Sequence, residues 1–164
     1  MRHWLMKSEP DEFSIDDLAR AVRQTAPWFG VRNYQARNFM RDEMRPRDRV
    51  FFYHSSCAEP GLAGIAEVVS QALPDATQFD RKSPYFDPKA TRAAPRWFSV
   101  KLKLVRKTRI VGLPELRRHP ELAGMRVLAR GNRLSITPVE PGEWAFITTK
   151  LLSPAPSARA PRQA

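Results

Sequence analysis

Arg49-Val50-Phe51-Phe52-Tyr53-His54-Ser55 is the stretch from which the fold can be read. At strand spacing Val50, Phe52 and His54 fall on one side, and Phe51, Tyr53 and Ser55 on the other. Both sides begin apolar and end polar, the pattern of a central strand covered on two faces whose last residues reach a cavity. Downstream, Pro60-Gly61 turns the chain into a second strand, Leu62 to Val69, in which Gly64 permits a bend or a close backbone approach. The two strands form a hairpin. Upstream, Arg45-Pro46-Arg47-Asp48 is a turn, and Tyr34 to Met44 reads as a helix with Phe39, Met40 and Met44 available to a core.

Further from that centre the elements are short. His3 to Lys7 is an apolar strand halted at Ser8-Glu9-Pro10, because proline cannot donate to a ladder. Ser14 and Asp17 form a capping box, and Ile15, Leu18, Ala19 and Val22 give the following helix one apolar face. Residues 73–96 read as a long loop, with Asp75, Asp80 and Asp87 as turn caps, and loops of that length are often functional. Val100 to Leu104 alternates as a strand with lysines outside. Residues 114–119 and 121–129 are helical pieces, Arg133 to Ile136 is a late strand, and Pro141 opens a final helix through Trp144, Ile147 and Leu151. The Pro/Ala/Ser/Arg tail 153–164 is expected to be disordered beyond a single domain, 1–152. These elements predict an α+β, mainly β fold: a curved mixed sheet with flanking short helices. Strand-helix alternation and a Gly-rich phosphate turn are both lacking, which excludes a doubly wound α/β fold.

Composition narrows the function. Lys and Arg number 28 against 17 acids, for a formal net charge of +11. Ten basic residues between Lys101 and Arg133 face only Glu115 and Glu121, and six arginines lie between Arg32 and Arg49. Such asymmetry points to a polyanionic partner, nucleic acid above all; a generally basic protein is the bland alternative. No apolar run reaches the length of a membrane span. The opening apolar run is too short for a signal peptide, and the single cysteine, Cys57, suits a reducing compartment, so the expectation is a monomer without membrane contact, cytoplasmic, with nucleoid association or, in a eukaryote, the nucleus as the alternatives. His54 and Cys57 are spaced H-x-x-C, but His3 and His119 stand alone, which is too little for a zinc site. A Ser-His-Asp arrangement lacks the G-x-S-x-G turn, and adjacent His54 and Ser55 point to opposite faces. Neither catalysis nor a cofactor is expected.

Trp28-Phe29-Gly30-Val31-Arg32-Asn33-Tyr34-Gln35-Ala36-Arg37-Asn38 crowds aromatics, amides and arginines together after Pro27. A wall that stacks against and hydrogen-bonds a planar ligand needs this mixture. The same residues also fit a loop entering a helix, with Trp28 as a core anchor.

Several motifs in order resemble the EVE domain family: Trp4-Leu5-Met6-Lys7-Ser8-Glu9-Pro10, the Trp28 to Asn38 stretch, Phe52-Tyr53-His54-Ser55, Gly64-Ile65-Ala66-Glu67-Val68, and Arg133-Leu134-Ser135-Ile136 with Pro138-Val139. The resemblance spans roughly residues 2–152. It implies a PUA-like pseudo-barrel, related to the YTH domains that read methylated adenine in RNA, and binding of modified bases rather than catalysis. By motif it implies a pocket of Lys7, Ser8, Glu9, Trp28 and Asn33, with Tyr53, His54 and Ser55 from the end of the central strand. Two positions depart from the family pattern: Phe29 where an aspartate is common, and Arg47 in place of a turn glycine.

The expected mechanism is capture of a base extruded from a DNA or RNA strand, stacked on Trp28 and sandwiched by Tyr53. Asn33, Ser8 and Ser55 would bond its edge, and Lys7 or Glu9 would sort its exocyclic groups. Arg32, Arg37, Arg106, Lys107, Arg109 and Arg133 would hold phosphates. Two other functions fit the same residues: a non-specific nucleic-acid binder, or a small-molecule or nucleoside binder or enzyme using the same pocket.

Overall fold

The computed structural model describes residues 1–152, so the expected disordered tail lies outside the described residues. In chain order the elements are β1 (His3–Ser8), α1 (Ile15–Arg20), β2 (Thr25–Pro27), α2 (Tyr34–Asn38), β3 (Arg49–His54) and β4 (Gly61–Val68). Then come β5 (Leu73–Pro74), β6 (Phe98–Ser99), β7 (Lys101–Gly112), α3 (Leu113–Arg117), β8 (Ile136–Val139) and α4 (Pro141–Phe146). Six strands form one sheet in the order β2-β7-β4-β3-β1-β8, and β5 pairs with β6. Only β1 and β3 run parallel, with Lys7 opposite Tyr53 and Ser8 opposite His54; the remaining pairs are antiparallel. The fold is the expected α+β, PUA-like one.

The register explains the core. Trp4 and Met6 of β1, with Val50 and Phe52 of β3, join Ile15, Leu18, Trp28 and Met40 in one apolar cluster. Leu5, Phe51 and Tyr53, the residues in between, join Leu62, Val111, Leu116 and Ile147 in a second cluster on the other face. The central strand is therefore covered on both sides, as its pattern predicts. Irregularities between Phe52 and Tyr53, between Leu62 and Gly64, and between Ile65 and Ala66 interrupt the ladders and bend the sheet. At Gly64 a Cβ would lie 2.7 Å from the Ile15 Cδ1 and 2.9 Å from the Arg106 carbonyl oxygen, so only glycine lets α1 press onto β4 here.

Several expectations change in detail. The capping box forms, with the Asp17 N–H donating to the Ser14 Oγ and the Ser14 N–H to the Asp17 carboxylate. Val22, however, is 85 % exposed. The helix stops at Arg20, and Arg23 takes φ +55°, which turns Val22 away from the core. The helix expected from Tyr34 to Met44 is α-helical only to Asn38 and widens into a π turn over Phe39–Glu43, which still buries Met40. The last helix widens in the same way over Ile147–Leu151, keeping Ile147 and Leu151 inside. The late strand lies at Ile136–Val139, three residues after the expected start, and β7 runs on to Gly112.

Candidate functional site

Because β1 and β3 are parallel, both end on the same edge of the sheet, and the end of β1 and the residues just after β3 face one cavity of about 460 Å³. That volume lies in the range of small-molecule sites. Lys7, Ser8 and Glu9 enter it from the end of β1, and Ser55 and Ser56 from beyond β3. The Ser55 N–H donates to the Ser8 carbonyl (2.9 Å), which extends the parallel ladder by one rung and holds the two serines side by side. The Ser8 hydroxyl donates to the Phe13 carbonyl (2.6 Å) and folds the 9–13 turn against the opening. Glu12 and Phe13 line the cavity from that turn.

The opposite wall is the stretch from Pro27 to Asn33. Trp28 is only 7 % exposed and meets Phe52 edge-on at 5.2 Å, so it belongs to the core while also lining the cavity. Core anchor and pocket wall are thus both correct descriptions of it. Asn33 caps α2: its Oδ1 accepts from the Ala36 N–H (3.0 Å). Gly30 takes φ +81°, and a Cβ there would lie 2.7 Å from Cζ of the Tyr85 ring. The ring thus lies flat on bare backbone, against the edge of Phe29 at 6.0 Å.

A buried ion pair fixes this wall. The Asp75 carboxylate accepts from the Gly30 N–H (2.8 Å), from the Thr77 N–H and hydroxyl, and from Arg32 (3.1 Å). Burial alone would raise the Asp75 carboxyl, but these donors outweigh it and hold it below its ordinary value. Arg32 in turn donates to the Tyr85 carbonyl twice, to the Val31 carbonyl and to the Thr77 hydroxyl. Its guanidinium also lies 5.2 Å from the centre of the Trp97 ring. The pair bolts the 75–97 loop to the Trp28 stretch and sets Tyr85 at the rim.

Six of the eight expected base-contacting residues come together here: Lys7, Ser8, Glu9, Trp28, Asn33 and Ser55. Tyr53 and His54 do not line the cavity. The Tyr53 ring points to the second apolar cluster, on the face opposite Trp28, so the two rings cannot sandwich a ligand. His54 faces α1, where its Nε2 accepts from the Ile15 N–H (3.1 Å), a bond that requires an uncharged imidazole. Burial lowers its pKa, with Asp16 opposing and Lys107 adding to the shift.

The expected phosphate contacts also divide. Arg133 lines the cavity; Arg32 does too, but its N–H groups are engaged inside the fold. Arg37 donates to the Asn38 side chain and the Arg96 carbonyl and stacks over Tyr34 at 4.6 Å. Lys107 pairs with Asp16, Arg109 pairs with Glu115 through two bonds, and Arg106 reaches the Leu152 carbonyl; none of the three lines the cavity. Sequence reasoning did not single out Tyr85, Phe13, Asn132 or Ser135. The length of the 73–96 loop was the signal for Tyr85, and Ser135 lies in the Arg133–Ile136 motif; nothing marked Phe13 or Asn132.

Lys7 is the half-buried cation of the site. Burial lowers its ammonium from its usual value, and its Nζ lies 6.0 Å from the centre of the Tyr53 ring. Glu9, Glu12 and Arg133 also line the cavity. The cavity thus offers aromatic surface, hydroxyls, a cation and carboxylates, the set needed to hold a flat polar ring. Among the described residues no group of three or more His, Cys, Asp or Glu side chains could hold a metal ion.

The sequence matches a family model described as the EVE domain over residues 2–150. Thymocyte nuclear protein 1 of Gallus gallus is 42 % identical over 163 residues; the match covers 88 % of this chain and 66 % of that protein, so the chain spans about two thirds of its length. A crystal structure of the human THYN1 protein in complex with 5-methylcytosine-containing DNA is similar at a TM-score of 0.84 and 42 % identity, covering 90 % of this chain and 95 % of that one. A protein from Pseudomonas syringae is similar at a TM-score of 0.84 and 48 % identity, covering 89 % and 97 %.

Proposed function

Because the chain belongs to the EVE domain family, we propose that it is a non-catalytic nucleic-acid-binding module that reads a modified base. The base leaves its stack and enters the cavity at the ends of β1 and β3. One observation carries this reading: a relative that is 42 % identical, with the same fold over 90 % of the chain, is bound to DNA containing 5-methylcytosine. The cavity supports it chemically. Phe13 and Tyr85, with Trp28 behind them, supply aromatic surface for a flat ring, and base-aromatic stacking contributes about 1–3 kcal/mol. Ser8, Ser55 and Asn33 offer hydrogen bonds to the ring edge, while Lys7 and Glu9 distinguish carbonyl from amino substituents. A methyl group adds favourable burial where an unmodified base leaves space or water.

The test is a titration of matched oligonucleotides at fixed salt, in DNA and RNA form. They would carry cytosine, methylcytosine, hydroxymethylcytosine, adenine or methyladenine at one position. A preference of about tenfold for one modified base, equivalent to about 1.4 kcal/mol, is expected. Equal, salt-sensitive binding to all of them would reduce the protein to a basic binder. A free nucleoside that bound as tightly as an oligonucleotide would make it a small-molecule site.

A further inference from the structure

The cavity lining carries charge of both signs: Glu9 and Glu12, and the cations Lys7, Arg32 and Arg133. Behind Arg133 the chain from Leu116 to Ser135 holds Arg117, Arg118, Arg126, Arg130 and Arg133 against Glu121 alone. Arg126, Arg130 and Arg133 are exposed, and no ion pair among the described residues involves their side chains. Two cations of β7 differ: Lys107 and Arg109 are already neutralised by Asp16 and Glu115, while Lys101, Lys103 and Arg106 of that strand are unpaired but do not line the cavity.

The arginine-bearing loop is also held in place. Asn132 donates from its side chain to the Arg126 carbonyl (2.6 Å), and its Oδ1 accepts from the Leu134 N–H (3.0 Å). Met125 and Val127 are buried in the second apolar cluster, and the Lys7 N–H donates to the Ser135 carbonyl (2.8 Å), which ties the loop to the end of β1. Its arginines therefore stand at a fixed place beside the cavity rather than on a free tail.

We propose that the 126–133 loop is the phosphate track for the strand whose base enters the cavity, with Arg130 and Arg133 as its principal contacts. The proposal rests on the base-capture reading above. A phosphodiester backbone is repelled by Glu9 and Glu12 and attracted by Arg133, so a strand delivering a base is held best where the unpaired arginines of this loop meet the cavity. The paired cations of β7 gain less from phosphate, because each would first give up a carboxylate.

The test compares the salt dependence of binding for three proteins: the full chain, the Arg130→Gln/Arg133→Gln variant, and the Lys107→Gln/Arg109→Gln variant. The probes are a fluorescent single-stranded DNA with one central 5-methylcytosine and its unmodified twin, and circular dichroism checks that each variant is folded. Each lost phosphate contact flattens the slope of log K against log salt by about 0.7–0.9. The Arg130/Arg133 variant is expected to lose about 1.4–1.8 in slope on both probes, with its modified-to-unmodified ratio kept. The Lys107/Arg109 variant is expected to keep its slope. An unchanged slope in the first variant, or a larger loss in the second, overturns the track. Wild-type binding with no preference between the probes overturns base reading instead, and the slopes still decide the track.

Discussion

Asp75 shows how one carboxylate can organise a pocket wall without lining it. It gathers Gly30, Thr77 and Arg32, and through Arg32 the Tyr85 backbone. Asp75→Asn keeps the shape but removes the charge and sets an amide N–H₂ against donors. Breaking a buried pair costs roughly 3–5 kcal/mol; Arg32 keeps some solvent contact, so the lower end, about 3 kcal/mol, is expected in urea unfolding. The folded pKa of Asp75 is lowered, so its contribution is fully present above the unfolded value of about 3.9 and is lost as pH falls through the folded value. The stability gap between wild type and variant should therefore close in strong acid. Tyr85→Ala tests the rim itself: a part-exposed ring is removed, so stability changes little while the ratio of modified to unmodified affinity falls in the oligonucleotide titration. Arg47 is the opposite kind of residue. It sits at φ +79°, the left-handed region, where the family pattern has a glycine. The strain of about 1–2 kcal/mol exceeds the added chain entropy of about 0.5–1 kcal/mol that glycine brings. Arg47→Gly should raise the urea midpoint, by about 0.5–1 kcal/mol in stability.

Among the elements, α1 carries the pH response. The His54 imidazole accepts from the first N–H of that helix and must be uncharged to do so. Its folded pKa is lowered, chiefly by burial, so this contribution is complete above the unfolded value of about 6.5. It is lost as pH falls through the folded value. His3 is also lowered by burial and stacks on Trp144 at 4.5 Å, so it adds to the same slope. Thermal unfolding from about pH 7.5 to about pH 5 should show a falling midpoint, with the α1 amide of Ile15 losing hydrogen-exchange protection first. The elements also show what a sequence can reveal. The 49–55 strand was legible because two-faced burial leaves alternating apolar residues that nothing else requires. The capping box at Ser14 was legible because it is local. The π turns after Asn38 and Phe146 were not, since an inserted residue leaves the apolar spacing of a helix almost intact. The roles of Tyr53 and His54 were misjudged for a related reason: the motif places them at the strand end, while facing is decided by the register against β1 and by α1 packing above. Asp75 read as a turn cap, which it is; its second bond set joins residues 43–45 positions apart, a separation with no periodic signature.

For the whole molecule, a formal charge of +11 and a cavity with aromatic walls act through different physics. Charge attracts every phosphate strand alike, releases counterions and weakens steeply with salt. The cavity acts on one base by contact and exclusion of water, which salt screens little. Among the described residues six cations are already paired with carboxylates, whereas Arg126, Arg130 and Arg133 in the loop beside the cavity are not. If base capture and charge are separable in this way, raising salt from about 50 mM to about 200 mM should weaken binding to modified and unmodified strands by the same factor. The ratio between them should stay constant within about twofold. Fluorescence anisotropy on the paired strands reads both quantities in one titration. A ratio that collapses with salt would mean that the modified strand is preferred through its backbone, by altered stiffness or phosphate spacing, and that the cavity is not where the base is read.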